Sequence, residues 1–360
     1  MTQDDRAPWW TFAAPVAAIV MLAVAAVFPV DGWLVFVAAA ALAATVFAAV
    51  YHAEVVAHRV GEPFGTLILA IAVTVIEVAL IVSIMIGAPE AKAGLARDTA
   101  FAAVMIVCNG IVGLSLLSGG VRHHVQDFHL EGASAAMAVL TALTVLTLVV
   151  PNVTTSAPGP QLSSPQLIFA GTVSLVLYGA FVFVQTVRHR DYFLPAGDGG
   201  EGTHAAPPSR LMAWISFALL FVALVGVVGL AKSLTPALEM TLQRFNAPKP
   251  VVGIAIAALV LMPEGLAALR AARANRLQTS LNLALGSALA SIGLTIPTVA
   301  ALCIGMGFPL QLGLGSKEVV LLALTLVLGI VTLGTGRTTV LQGIVHLVVF
   351  AAFIFFALVP

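Results

Sequence analysis

Uninterrupted apolar stretches dominate this chain, and each is long enough to cross a bilayer: residues 9–30, 33–50, 64–87, 99–119, 134–151, 165–187, 211–231, 251–270, 279–303, 318–333 and 339–359. A spanning helix needs about 20 mostly apolar residues. Inside lipid the backbone has no water to bond, so only helices and closed barrels cross. The runs here are continuous rather than alternating, which excludes porin-like strands. The expected fold is therefore an all-α polytopic membrane protein with eleven transmembrane helices. The first run reads as a true span, because its flank MTQDDR is not basic and no small-residue cleavage site leads into a soluble domain.

Composition narrows the function classes. Only 9% of the 360 residues are charged, against roughly 25% in soluble domains. That is too little to clothe a globule of this size, so a soluble enzyme is excluded. The two cysteines, Cys108 and Cys303, lie far apart inside apolar runs, which excludes a disulfide scaffold. Lys+Arg and Asp+Glu both number 16, so no charge excess points to nucleic acid. With eleven spans and a cytoplasmic N-terminus, ten basic residues fall in inner segments and six in outer ones. This bias predicts N-inside and C-outside in the inner (plasma) membrane.

The longest polar stretch, 188–210 (RHRDYFLPAGDGGEGTHAAPPSR), reads as a flexible cytoplasmic linker. Setting aside an extra N-terminal helix (1–32), it separates five spans in 33–187 from five in 211–360. Two copies of an odd-numbered unit must lie upside down relative to each other, the logic of inverted repeats in secondary transporters.

Two carboxylates sit inside spans rather than at their ends. Glu77 lies 13 residues into the third span, counted from Phe64, and Glu264 lies 13 residues into the eighth, counted from Val251. Each is in the second helix of its five-span unit, so opposed repeats would place both near the midplane. A carboxylate there costs roughly 2.5–3.5 kcal/mol on insertion scales, which a purely structural helix does not explain. Thr66, Ala70, Thr74 and Glu77 share one helical face, as do Gly253, Ala257, Val260 and Glu264. Pro263 removes a backbone donor and frees a carbonyl one turn earlier; either a broken helix that exposes carbonyls to a cation or an ordinary kink follows. Secondary cavity-lining candidates are Thr74, Asn109, Ser287, Ser291 and Thr295, with Ser115 a further weak donor. Serine and threonine serve equally as packing contacts in membrane helices.

Two carboxylates with oxygen ligands suit a hard cation such as Ca²⁺. No Cys/His cluster at membrane depth supports a soft metal. Burial and like-charge repulsion favour the neutral, protonated form of such a pair. The expected mechanism neutralises both acids by one divalent cation or by protons, so that exchange is obligatory. No cofactor is expected, and the partners are membrane lipid and the transported ions. A channel with an acidic ring is an alternative. So is an intramembrane hydrolase built on Ser115 and His346, although no Gly-x-Ser-x-Gly elbow supports it.

Other polar features have plainer readings. HHVQDFHLE (123–131), with His123, His124 and His129, reads as a solvated loop or a metal sensor. His52 and His58 could relay protons or hold an interface. For His346 a hydrogen bond to a backbone carbonyl is expected, and for Arg337 snorkelling to headgroups. Gly334–Thr338 lacks the lysine and spacing of a P-loop.

Taken together, several segments resemble one family. HAEVVAHRVGEPFGTLILAIAVTVIEVALI (52–81) resembles the first signature repeat of bacterial ChaA-type calcium/proton antiporters, members of the cation/proton exchanger (CAX) family of the calcium/cation antiporter superfamily. RDTAFAAVMIVCNGIVGLSLLSGG (97–120) is similar to the helix that follows. FNAPKPVVGIAIAALVLMPEGLAAL (245–269) with NLALGSALASIGLTIP (282–297) resembles the second repeat, and GTGRTTVLQGIVHL (334–347) the C-terminal motif. The resemblance implies an extra first helix, two inverted five-helix repeats and a central site with Glu77 and Glu264 as cation and proton ligands. Three features depart from the family pattern. Val73-Thr74 stands where the family has Gly-Asn, and Met-Pro-Glu-Gly surrounds Glu264; Ser287 matches a cavity serine, but Ala290 stands where many members have glutamine; and 188–210 holds only Asp191, Asp198 and Glu201 in place of an acidic segment. The implied activity is Ca²⁺/H⁺ exchange, with Na⁺ or K⁺ exchange by the same site as the alternative.

Overall fold

The computed structural model describes residues 8–61, 64–194, 208–244, 248 and 250–359. Arg6, Lys249, the Thr66 side chain and most of the 188–210 segment lie outside the described residues. Eleven helices are long and apolar enough to cross a membrane: α1 (Trp9–Val27), α2 (Trp33–Val60), α3 (Phe64–Gly87), α4 (Leu95–His123), α5 (Leu130–Asn152), α6 (Ser164–Arg188), α7 (Arg210–Arg244), α8 (Pro250–Arg273), α9 (Leu277–Met306), α10 (Ser316–Leu333) and α11 (Val340–Leu358). The expected spans are thus all present. The second is longer than its apolar run, because α2 continues as helix through His52, Glu54 and His58 to a stop at Gly61, whose φ is 78°. Pro263 does not break α8, which is continuous from Pro250 to Arg273. Irregularity enters instead as π-turns within spans, Ile106–Ile111 in α4 and Ser291–Thr295 in α9.

By compactness the chain forms two units. The first contains α1, α2, α3 and α7, and the second α4–α6 and α8–α11. In the first unit α2 packs against α1, α3 and α7. Small residues allow the approach: a Cβ on Gly226 of α7 would sit 2.8 Å from the Ala18 Cβ of α1. His52 is the polar junction of this bundle. It is fully buried; its Nε2 lies 3.0 Å from the Thr11 carbonyl of α1 and its Nδ1 3.1 Å from the Ser216 hydroxyl of α7. A carbonyl only accepts, so Nε2 carries a hydrogen directed at Thr11.

In the second unit α4 is the most enclosed span, with 89% of its apolar window buried. It packs against α8 and α11. At Gly253 of α8 a Cβ would meet the Asp98–Thr99 backbone of α4 at 2.8 Å, and at Gly343 of α11 one would meet the Leu117 nitrogen at 2.5 Å. Glycine lets backbones touch where any side chain would hold them apart.

At one end of this unit the histidine loop is largely exposed, as read from sequence, and forms no metal-ligand cluster among the described residues, but it is anchored by hydrogen bonds. Two short strands, β1 (Gln126–Asp127) and β2 (Arg337–Thr338), pair antiparallel. Gln126 Nε2 donates to the Ala272 carbonyl at 3.0 Å, His123 Nε2 lies 3.1 Å from the Arg273 carbonyl, and the His129 amide donates to Gln278 at 2.7 Å. The loop therefore clamps the turn between α8 and α9. Arg337 pairs with Asp127 at 3.1 Å, and both side chains stay largely exposed. The first residues of the segment read as a flexible linker are also docked. Arg190–Phe193 forms a 3₁₀ turn in which the Phe193 carbonyl accepts from Asn282 at 2.6 Å and its ring meets Phe181 edge-on at 5.8 Å. Burying Phe193 and bonding its carbonyl outweighs the polarity of its neighbours.

Gly253→Val should separate α8 from α4 and cost about 1–3 kcal/mol, the usual penalty of overpacking. Gly179→Ala, where an added Cβ meets nothing within 4 Å, should leave stability unchanged or raise it by up to about 1 kcal/mol, since alanine favours the helix over glycine. Thermal unfolding of the two variants in detergent checks the contrast.

Candidate cation site

The candidate residues divide between the two units. Glu77 and Thr74 lie in α3 of the first. Glu77 is 2% exposed and Thr74 7%, and the Thr74 hydroxyl has no hydrogen-bond partner among the described residues. The two are three residues apart, so they share a helical face. A buried hydroxyl on the same face as a carboxylate offers a second oxygen of the kind a hard cation takes. Glu264, Asn109, Ser287, Ser291 and Thr295 lie in the second unit.

Within the second unit Glu264 is half-buried in α8. Its neighbour Gly265 fixes its level against α4, for a Cβ there would lie 3.0 Å from Ile111, the last residue of the α4 π-turn. Glu264 thus stands at the depth of the turn that carries Asn109. Helix α9 packs along α8. It carries Ser287, half-buried, and Ser291 and Thr295, both buried, and the latter two bound its own π-turn. A π-turn inserts one extra residue, which shifts the faces of the helix and leaves carbonyls poorly paired. Such turns recur at functional sites.

Asn109 is wholly buried, and its amide is used at both ends. Nδ2 donates to the Thr325 hydroxyl of α10 at 2.8 Å, and Oδ1 lies 3.1 Å from His346 Nδ1 of α11. His346 Nε2 lies 3.0 Å from the Thr332 hydroxyl, while Thr325 donates onward to the Leu321 carbonyl at 2.8 Å. With the amide nitrogen donating, Oδ1 can only accept, so His346 carries a hydrogen on Nδ1. His346 thus meets side chains of two other spans, Asn109 and Thr332, together with the Cys108 backbone carbonyl of α4, the kind of partner expected from sequence. Both ring nitrogens are taken, and the Ser115 hydroxyl is buried without a partner among the described residues. The serine–histidine pair that a hydrolase would need is not formed. Thr325 and Thr332 were missed at the sequence level; their spacing of seven, which puts both on one face of α10, was the available signal.

A separate cavity of about 200 Å³ opens where α4, α8 and α10 begin and α11 ends. Its wall includes two ion pairs, Arg97–Asp98 at 2.8 Å and Lys317–Glu318 at 3.4 Å. Pro250 and Ile254 are the α8 residues that reach it, at least ten residues before Glu264, so this cavity is not the carboxylate site.

Comparison with known proteins gives one consistent result. The family model described as sodium/calcium exchanger protein matches residues 31–187 and 215–359. The chain is 49% identical over 363 residues to the putative ionic transporter y4hA of Sinorhizobium fredii, covering 99% of this chain and 98% of the relative. It is 37% identical over 312 residues to the sodium-potassium/proton antiporter ChaA of Escherichia coli, covering 86% of this chain and 84% of that one. A crystal structure of the Ca²⁺/H⁺ antiporter protein YfkE shares the fold, with a TM-score of 0.74 at 16% identity over 97% of this chain and 99% of that one. The ChaA-type resemblance read from the motifs is borne out.

Asn109→Ala should take away the Asn109 partner of both His346 and Thr325 at membrane depth. The expected cost is about 1–3 kcal/mol, that of buried polar groups losing a partner. It would be read as a lower unfolding midpoint with unchanged helix content by circular dichroism.

Proposed function

Because the chain belongs to the sodium/calcium exchanger protein family, we propose that it is a secondary cation/proton antiporter in which Glu77 and Glu264 carry the cation and the protons in turn. The observation that carries this reading is the pair of carboxylates within apolar spans, each 13 residues into its run. An anionic carboxylate at that depth costs roughly 2.5–3.5 kcal/mol. Either a bound cation or a proton removes the cost; the empty charged state does not. A carrier of this kind changes its access only when its acids are neutralised, so uptake of one species is tied to release of the other. Thr74, Ser287, Ser291 and Thr295 offer the hydroxyl oxygens that a hard cation prefers.

The cation is proposed to be Ca²⁺, exported from the cytoplasm against inward protons. The chemistry of paired carboxylates supports this, as does the fold shared with a Ca²⁺/H⁺ antiporter at TM-score 0.74. A second reading, Na⁺ or K⁺ exchange through the same acids, is favoured by the 37% identity to a sodium-potassium/proton antiporter. The chain is further read as an extra N-terminal span (1–32), a first five-span repeat (33–187), a linker (188–210) and a second repeat (211–360). The ten-to-six distribution of basic residues supports a plasma-membrane protein with a cytoplasmic N-terminus.

Everted vesicles holding the protein should alkalinise their lumen when Ca²⁺ is added outside, as protons leave in exchange. Na⁺ and K⁺ added separately distinguish the two readings. Glu77→Gln and Glu264→Gln should each reduce the coupled flux to background while the protein still inserts. Full flux in either variant would sink the assignment of that carboxylate.

A further inference from the structure

One end of the second unit carries a basic surface that the exchange reaction does not use. Arg122 ends α4, Arg270 and Arg273 lie in the last turn of α8, and Arg276 opens α9; all four are exposed. The acids of the same loops are Asp127, which is held by Arg337, and Glu131. Among the described residues no carboxylate pairs with Arg122, Arg270, Arg273 or Arg276.

These arginines converge for stated reasons. The Arg273 guanidinium donates through Nε to the Ser118 hydroxyl of α4 at 2.8 Å. Arg122 is four residues beyond Ser118, hence on the same face of α4 and one turn further out. Arg270 precedes Arg273 by three residues on one face of α8. The clamp of His123 on the Arg273 carbonyl and Gln126 on the Ala272 carbonyl fixes the level of α8 against α4. The guanidiniums are thus carried by a rigid junction rather than by a loop.

Their depth matches a headgroup layer. Helix α8 has 24 residues, a length of about 36 Å, whereas the hydrocarbon core is about 30 Å thick. Its last turn therefore reaches the polar region. Apolar groups flank the cations at the same end: Val121 is 67% exposed and Val125 49%. Unpaired guanidiniums beside exposed valines complement a phosphate that is joined to acyl chains. Arginine presents a planar fork that grips phosphate oxygens in pairs.

We propose that this face binds an anionic phospholipid, with its phosphate held between Arg122 and Arg273 and supported by Arg270. The test uses the full-length purified protein, delipidated in detergent and titrated separately with phosphatidylglycerol, phosphatidylcholine and inorganic phosphate, with the thermal unfolding midpoint as readout. Phosphatidylglycerol should raise the midpoint; phosphatidylcholine and phosphate at equal concentration should not. The double variant R122Q/R273Q should need about thirty-fold more phosphatidylglycerol for the same shift, as expected for two lost basic contacts to an anionic headgroup. R270Q changes an exposed side chain and should need about five-fold more, which keeps the test open if the double variant does not fold. R244Q, at the end of α7, should behave as the unmodified protein. A response unchanged in R122Q/R273Q or R270Q, or reproduced by phosphate alone, would overturn the proposal. Cation flux is not measured, so the result is independent of the exchange reading.

Discussion

A polar group taken into the hydrocarbon core has no water to bond, so it must find its partner inside the protein. Nearly every feature of this structure answers to that demand. The backbone meets it by becoming helix. The few polar side chains at depth meet it by reaching other spans: His52 bridges α1 and α7, and Asn109 joins α4 to α10 and α11. Hydroxyls meet it within their own helix, as Thr144 does by donating to the Leu140 carbonyl at 2.8 Å. Against this background two carboxylates within spans are costly, and the cost is what makes them informative.

Much of this was legible in the sequence, because hydrophobic length is a local property. The eleven spans and the depth of Glu77 and Glu264 come from counting residues. The Pro263 region was read less well: a proline inside a helix removes one hydrogen bond, but neighbouring helices can support the rest, and α8 remains continuous. What could not be read is non-local. Asn109 meets Thr325 across 216 residues and His346 across 237, and no short window of sequence encodes such a meeting. The π-turns were equally hidden, since their residues differ little in type from those of the flanking helix. The exposure of the histidine loop was legible, but its anchoring was not. Its composition is that of solvated loops and metal sites, yet its bonds go to the backbone of the α8–α9 turn.

Glycine decides where helices touch, and through that where chemistry is held. Gly253 and Gly265 let α8 lie on α4 at two levels, one at the Asp98–Thr99 backbone and one at Ile111. Glu264 sits between those contacts and next to the second. Its level is therefore set by the backbone contact at Gly253 and by the Ile111 side chain that Gly265 admits. The compact units also differ from the two halves suggested by the 188–210 segment: α7, which follows it, packs with α1, α2 and α3.

The His52 junction has a consequence for how the protein is made. Its two partners lie on opposite sides of it in the chain, and Ser216 is 164 residues later. At a synthesis rate of about 5–20 residues per second, α1 and α2 enter the bilayer roughly ten to thirty seconds before α7 exists. During that interval the imidazole waits with one nitrogen unsupplied. The extra first helix is thus laid down early as one wall of a bundle that only a late arrival completes, and biogenesis in this unit is finished from the outside in.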